Sequence, residues 1–192
     1  MKKLLLIATA FVALTAFTTF SGTWTNDDPH SQLGFTVTHL GIADVSGTFN
    51  DIDVTVKSTK ADFSDASFEL TAKTASIDTR VEQRNNHLKS ADFFDVEKYP
   101  TLNFTSTSLK KTAENNYQLN GDLTIHGVTK PVSMSLIYKG TVENPMSKKP
   151  TAGFQITGTI KRSDFNIGGK FPSAMISDEV SIKADGEFVA NN

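Results

Sequence analysis

Apolar and polar residues alternate one for one along most of this chain, and that period of two constrains it more than any other feature. In an extended strand neighbouring side chains point to opposite faces, so strict alternation makes one face apolar and the other polar. Eight segments show it. Leu33, Phe35, Val37 and His39 alternate with Gly34, Thr36 and Thr38. Val45, Gly47 and Phe49 are followed by Ile52, Val54 and Val56, with a change of parity at Asn50-Asp51 that predicts a bend or bulge. Phe68, Leu70 and Ala72 form a third set, and Leu102 with Phe104 a fourth. The fifth is the longest: Tyr117, Leu119, Gly121, Leu123 and Ile125 against Gln118, Asn120, Asp122 and Thr124. Val132, Met134, Leu136 and Tyr138, then Phe154, Ile156 and Ile160, then Val180, Ile182, Ala184, Gly186 and Phe188 complete the series. Turn signals at Glu114-Asn115-Asn116, His126-Gly127 and Glu143-Asn144-Pro145 separate several of them.

Eight one-sided strands bury their apolar faces either in a closed barrel or in two stacked sheets. Gly47, Ala72, Gly121, Ala184 and Gly186 lie on the apolar faces, and small inward residues are expected to leave room. An eight-stranded barrel is just wide enough to be filled by side chains or to hold one small ligand. The reading is therefore all-β, an eight-stranded antiparallel barrel, with a short helical insertion around 80–95. There Val81, Asn85 and Leu88 fall at helical spacing, and Ala91 to Tyr99 reads as a turn or short helix ended by Pro100. The 24 Thr, 14 Phe, 12 Val and 11 Ile among 192 residues agree with a strand-rich chain.

Lys2 and Lys3 precede an apolar run over residues 4–17, shorter than the roughly 20 residues a spanning helix needs. Residues 1–21 read as a secretory signal peptide cut between about Thr18 and Trp24. Residues 22–192 read as one domain, expected in the periplasm or outside the cell and not spanning a membrane. The absence of Cys excludes disulfides, thiolate metal sites and a Cys nucleophile. A net charge of -2 speaks against a nucleic-acid partner.

Other chemistry is thin. His30, His39, His87 and His126 show no metal-ligand spacing, so no metal and no cofactor is expected. Asp27-Asp28-Pro29-His30-Ser31 reads as side chains tying a turn before the first strand, and Gly168-Gly169-Lys170 as a plain turn. Arg80, Arg84 and Lys89 share the helical stretch, where they bind a polar head or merely solvate that face.

Several pieces in order resemble the YceI-like family. They include Phe35 to Gly41 (FTVTHLG), Val45 to Phe49 (VSGTF) and Ser76-Ile77-Asp78-Thr79. Arg84 to Asp95 (RNNHLKSADFFD), Tyr99-Pro100, Gly121 to Val132 (GDLTIHGVTKPV) and Arg162-Ser163-Asp164-Phe165 follow. Asn86 departs from the family pattern, which often has an acid between the Arg and the His. The resemblance implies a lipocalin-like barrel, usually periplasmic, that holds an isoprenoid or other long-chain amphiphile, with no established enzymatic activity.

The combined expectation is an exported, non-enzymatic binding protein whose barrel interior holds one apolar chain. Phe35, Val37, Phe68, Leu70, Phe104 and Leu119 are the first half of the expected lining. Leu123, Ile125, Met134, Leu136, Ile156 and Ile182 are the second. Leu88, Phe93 and Phe94 would line or close one barrel end, with His39 and Arg84 near a polar head. Two other classes stay open: a hydrolase of lipid esters using His39, His87, Arg84 and Asp92 at a barrel mouth, and a ligand-free structural or stress protein. A homodimer is among the assemblies open to such a chain.

Overall fold

A computed structural model describes residues 22–191. The expected signal peptide therefore lies outside the described residues. Strands β1 (Gly22–His39), β2 (Ala43–Phe49), β3 (Ile52–Ser58) and β4 (Ser67–Lys73) come first. A short strand β5 (Ile77–Asp78) and helix α1 (Glu82–Lys89) follow. Then come β6 (Thr101–Ala113), β7 (Asn116–Ile125), β8 (Val128–Glu143), β9 (Pro150–Lys161) and β10 (Glu179–Ala190). Neighbours pair antiparallel in the order β10-β9-β8-β7-β6-β4-β3-β1-β2-β5, and β1 also pairs with β10. That last pairing closes the sheet on itself. No described helix is long and apolar enough to cross a membrane.

The ten segments make eight staves. The far half of β1 pairs with β2, from Leu33↔Phe49 to His39↔Ala43, and its near end with β3, from Gly22↔Ser58 to Thr25↔Thr55. β2 and β3 are thus one stave bent at Asn50-Asp51, where the change of parity lies. Alternation dictates the faces: along β7, Tyr117, Leu119, Gly121, Leu123 and Ile125 are all buried. The β7–β8 connection is a two-residue hairpin with His126 at φ 51° and Gly127 at φ 75°. Both φ values are positive, as a turn matched to the twist of its strands requires. The Tyr99 ring covers Gly127, and a Cβ there would lie 2.6 Å from it.

Two expectations need correction. Asp27 to Ser31 does not precede the first strand but interrupts it. Against β10, Asn26 pairs with Phe188 and Ser31 with Gly186, so the intervening residues bulge out of β1. The Asn26 carboxamide then stands in for the displaced backbone: it accepts from Val54 N–H at 2.7 Å and donates to Ile52 O at 3.2 Å. Secondly, the inward glycines do not leave empty room. The space beside Gly47 is taken by the Phe35 ring and Thr79, and that beside Gly121 by the Phe104 ring. The glycines admit large neighbours instead. Ala91 to Tyr99, expected as a turn or short helix, forms turns.

The staves order the two barrel ends. One end, here the floor, carries the β3–β4 loop and the Glu114-Asn115 turn. The other, the mouth, carries the β1–β2 turn, the excursion between β4 and β6 that includes α1, and the segment 162–178. β8 and β9 pair only from Ser135↔Thr157 down to the floor. Above that they part, and a 3-10 turn at Arg162–Phe165 fills the split with Phe165, which is 1% exposed.

Candidate functional site

The inward face changes character along the barrel. In the lower half Trp24, Val56, Phe68, Tyr117, Leu136, Phe154 and Phe188 are buried in one cluster. In the upper half Phe35, Leu70, Phe104, Ile156 and Ile182 share the inward parity but keep part of their surface. The surface they keep belongs to a cavity of about 430 Å³, within the range of small-molecule sites. Phe35, Val37, Phe68, Leu70, Phe104, Leu119, Leu123, Ile125, Met134, Ile156 and Ile182 all line it. Leu136 does not; it belongs to the solid layer beneath. Sequence reasoning missed Ile167, Phe171, Met175 and Ile176 of the 162–178 segment, which also line it. Their only signal is a scatter of apolar residues among Gly, Pro and Ser between two clear strands.

The floor is aromatic. Phe63, from the β3–β4 loop, is turned into the barrel and is 2% exposed. Its ring meets Trp24, Tyr138 and Phe154 at centroid distances of 5.2, 5.0 and 5.0 Å. Phe154 in turn meets the tunnel-lining Phe68 edge-on at 5.4 Å. The cavity is therefore blind at this end.

At the mouth, Leu88 and Phe94 line the cavity, as do the stacked rings of Phe93 and Phe171, 5.0 Å apart. His87 stands edge-on to both. Its Nε2 lies 3.5 Å from Asp92 Oδ2, and Lys170 donates to the other oxygen. The Lys170 ammonium holds the Asp92 carboxyl below the usual carboxylate range. Arg84 lines the mouth while donating through Nε to Thr79 Oγ1 at 2.8 Å and through Nη2 to Thr79 O at 2.7 Å. His39, at the end of β1, also lines it. Arg80, which is exposed, and Lys89, which is half-buried, do not.

Arg162, 7% exposed, is a buried cation solvated by backbone. It donates to the carbonyls of Ser177, Ile167, Gly168, Phe171 and Ile176, at 2.6–3.1 Å. All five guanidinium N–H groups are thereby used. The effect is to fold the 162–178 segment over the mouth.

Among the described residues, one set of His and acid ligand atoms converges: those of Asp27, His30 and Glu187, within 4.8 Å of one another. It sits at the β1 bulge, away from the cavity lining. His30 Nδ1 donates to Asp27 Oδ2 at 2.7 Å, and that bond raises the imidazole pKa.

A closed antiparallel barrel with a solid floor, a largely apolar cavity and a helix-bearing mouth defines a lipocalin-like class of β-barrel. The chain belongs to the YceI-like domain family, whose profile matches residues 24–188. A UPF0312 protein of Photorhabdus laumondii is 39% identical over 170 residues, covering 87% of this chain and 88% of its own. Among solved structures, BcnA of Burkholderia cenocepacia is similar with a TM-score of 0.74 at 27% identity, over 86% of this chain and 99% of its own. The fold is shared by a polyisoprenoid binding domain from Saccharophagus degradans, with a TM-score of 0.68 at 15% identity, over 88% and 99%.

Proposed function

We propose that the protein is an exported, non-enzymatic carrier that takes the hydrocarbon chain of an isoprenoid or other long-chain amphiphile into the upper half of its barrel. One observation carries this: the cavity of about 430 Å³ is walled mostly by aliphatic and aromatic side chains, with His39, Thr79, Arg84, His87 and Arg162 as the polar ones and no Asp, Glu or Lys. Removing a chain from water into such a wall is favourable by about 25 cal/mol per Å² of apolar surface buried. The domain from Saccharophagus degradans, described as polyisoprenoid binding, supports the ligand class by analogy of fold. The two lysines and apolar run at the N-terminus support export.

Two tryptophan variants of β7 test the reading. Leu123 lines the cavity, whereas the Thr124 hydroxyl bonds Thr129 Oγ1 at 2.8 Å on the outer face. Leu123→Trp should displace a fluorescent long-chain ligand while the fold persists, and Thr124→Trp should leave binding nearly intact. Organic extraction of the purified protein and mass spectrometry should return one lipid class. A strongly destabilised Leu123→Trp protein, together with no binding by wild type, would leave a solid barrel and no carrier.

A further inference from the structure

Arg84 is the one cation of the cavity wall, among the described residues, with donors still to spend. The other, Arg162, uses all five N–H groups on carbonyls. Arg84 uses two, both on Thr79. Three remain, because a guanidinium carries five. No carboxylate lies within ion-pair distance of Arg84 among the described residues.

Its orientation is fixed from behind. Thr79 is 3% exposed, and its hydroxyl donates to Asn85 Oδ1 at 2.6 Å. That leaves the oxygen's lone pairs for Arg84 Nε. Asn85 Oδ1 also accepts from Thr79 N–H, and Asn85 Nδ2 donates to Asp78 Oδ1 at 2.9 Å. The guanidinium is thus held by two of its nitrogens, at the mouth of an apolar tunnel and without a counter-charge. An uncompensated cation beside apolar walls interacts more strongly with an anion than it would in water. A cationic or donor-only head would meet repulsion there.

On the reading that the barrel carries an amphiphile, we infer that Arg84 selects a single-chain amphiphile ending in an oxyanion, a carboxylate or a phosphate, over alcohols and amines of the same chain. The chain supplies affinity and the head supplies choice. A planar guanidinium suits both oxyanions, since each presents paired oxygens to its fork.

The test is displacement of N-phenyl-1-naphthylamine, a neutral polarity-sensitive fluorophore, from the full mature protein. Four competitors of equal chain length are used: hexadecanoate, hexadecyl phosphate, hexadecanol and hexadecylamine. The oxyanions should displace the probe at about tenfold lower concentration than the alcohol, a difference of one good charge-assisted bond, and the amine should be weakest. The tighter of the two oxyanions then identifies the head as carboxylate or phosphate. In Arg84→Gln the ratio of alcohol to oxyanion concentration should fall towards one. An amine or alcohol as tight as both oxyanions in wild type would overturn the inference without any variant. A ratio unchanged in a folded Arg84→Gln protein would overturn it too. If wild type binds the probe but no chain displaces it, the carrier reading falls and takes this inference with it.

Discussion

The Phe63 ring stands edge-on to that of Phe154, their centroids 5.0 Å apart at 83°, and together they stop the tunnel. Phe63 reaches this place from a loop, at a φ of 54° that is costly for a bulky residue. Loop and wall are tied further by the Tyr117 hydroxyl, which donates to Asp62 O at 2.7 Å. Phe63→Ala should therefore cost about 3–5 kcal/mol in chemical denaturation, as large-to-small changes of buried aromatics do. It should also give Phe154 space to turn aside and deepen the tunnel. In a series of fatty acids of rising length, the tightest-binding chain should be longer for the variant than for wild type. An unchanged optimum would place the end of the tunnel elsewhere.

Arg162 ties the 162–178 segment together from within. A lysine in its place brings three donors on one atom against five carbonyls, so at least two lose a partner. Each such loss costs about 1–3 kcal/mol. Because the carbonyls belong to the local segment, Arg162→Lys should speed amide hydrogen exchange over residues 163–178 while β7 stays protected. Ile167, Phe171 and Ile176 line the cavity, so ligand affinity should fall as well. Uniform acceleration across the barrel would show instead that the segment and the staves open together.

What could be read from the chain follows the range of the interactions concerned. The faces of β7 were legible because alternation is local: each residue's side depends only on its neighbours. The bend at Asn50-Asp51 was legible for the same reason, as a change of parity. The bulge at Asp27 to Ser31 was not. It exists because β1 must match β10, from the far end of the chain, and nothing near Pro29 records that register. The glycines misled because a missing Cβ says only that something comes close. At Gly47 it is Phe35, from a neighbouring stave. The lining from Ile167 to Ile176 stayed hidden because it lies in turns folded on Arg162, which no strand or helix pattern marks. Of the expected tunnel residues, Leu136 alone fell outside the lining, since parity gives the side of a strand and not the height at which the core becomes solid.

Two inward-facing glycines should differ sharply when given a methyl group. A Cβ on Gly121 would lie 2.5 Å from Phe104 Cε2 and equally close to Thr105 O. The Phe104 ring would have to turn towards the cavity, and the Thr105 carbonyl, part of the ladder, cannot step aside. Gly121→Ala should cost about 1–3 kcal/mol by overpacking. A Cβ on Gly158 would meet the sulfur of Met134, a flexible side chain where β8 and β9 have already parted. Gly158→Ala should therefore lose less, with urea denaturation of both variants giving the order. Equal losses would mean that the split between β8 and β9 is as tightly packed as the paired wall.

Asp65 makes the floor loop sensitive to acid. Partial burial pushes its carboxyl up, but the Ser58 and Thr59 hydroxyls and the N–H groups of Thr59 and Lys60 outweigh this and bring it down to about 2. The Ser58 hydroxyl donates at 2.6 Å, and both carboxylate oxygens accept from Thr59 N–H. These donors favour the ionised form, so folding lowers the proton affinity of the group. The unfolded chain then binds more protons than the native one between pH 4 and pH 2, and stability falls with pH across that window. Above pH 4 the contribution is complete; below pH 2 it is gone. The residue itself is exposed, so solvent screening keeps the effect modest. Asp65→Asn removes the ionisation. It should melt lower than wild type at pH 7, and the gap between the two should narrow as pH falls from 4 to 2. Melting curves at several pH values, at fixed ionic strength, measure that gap. A gap of constant size across the window would show that the carboxylate's charge does not hold the Phe63 loop in place.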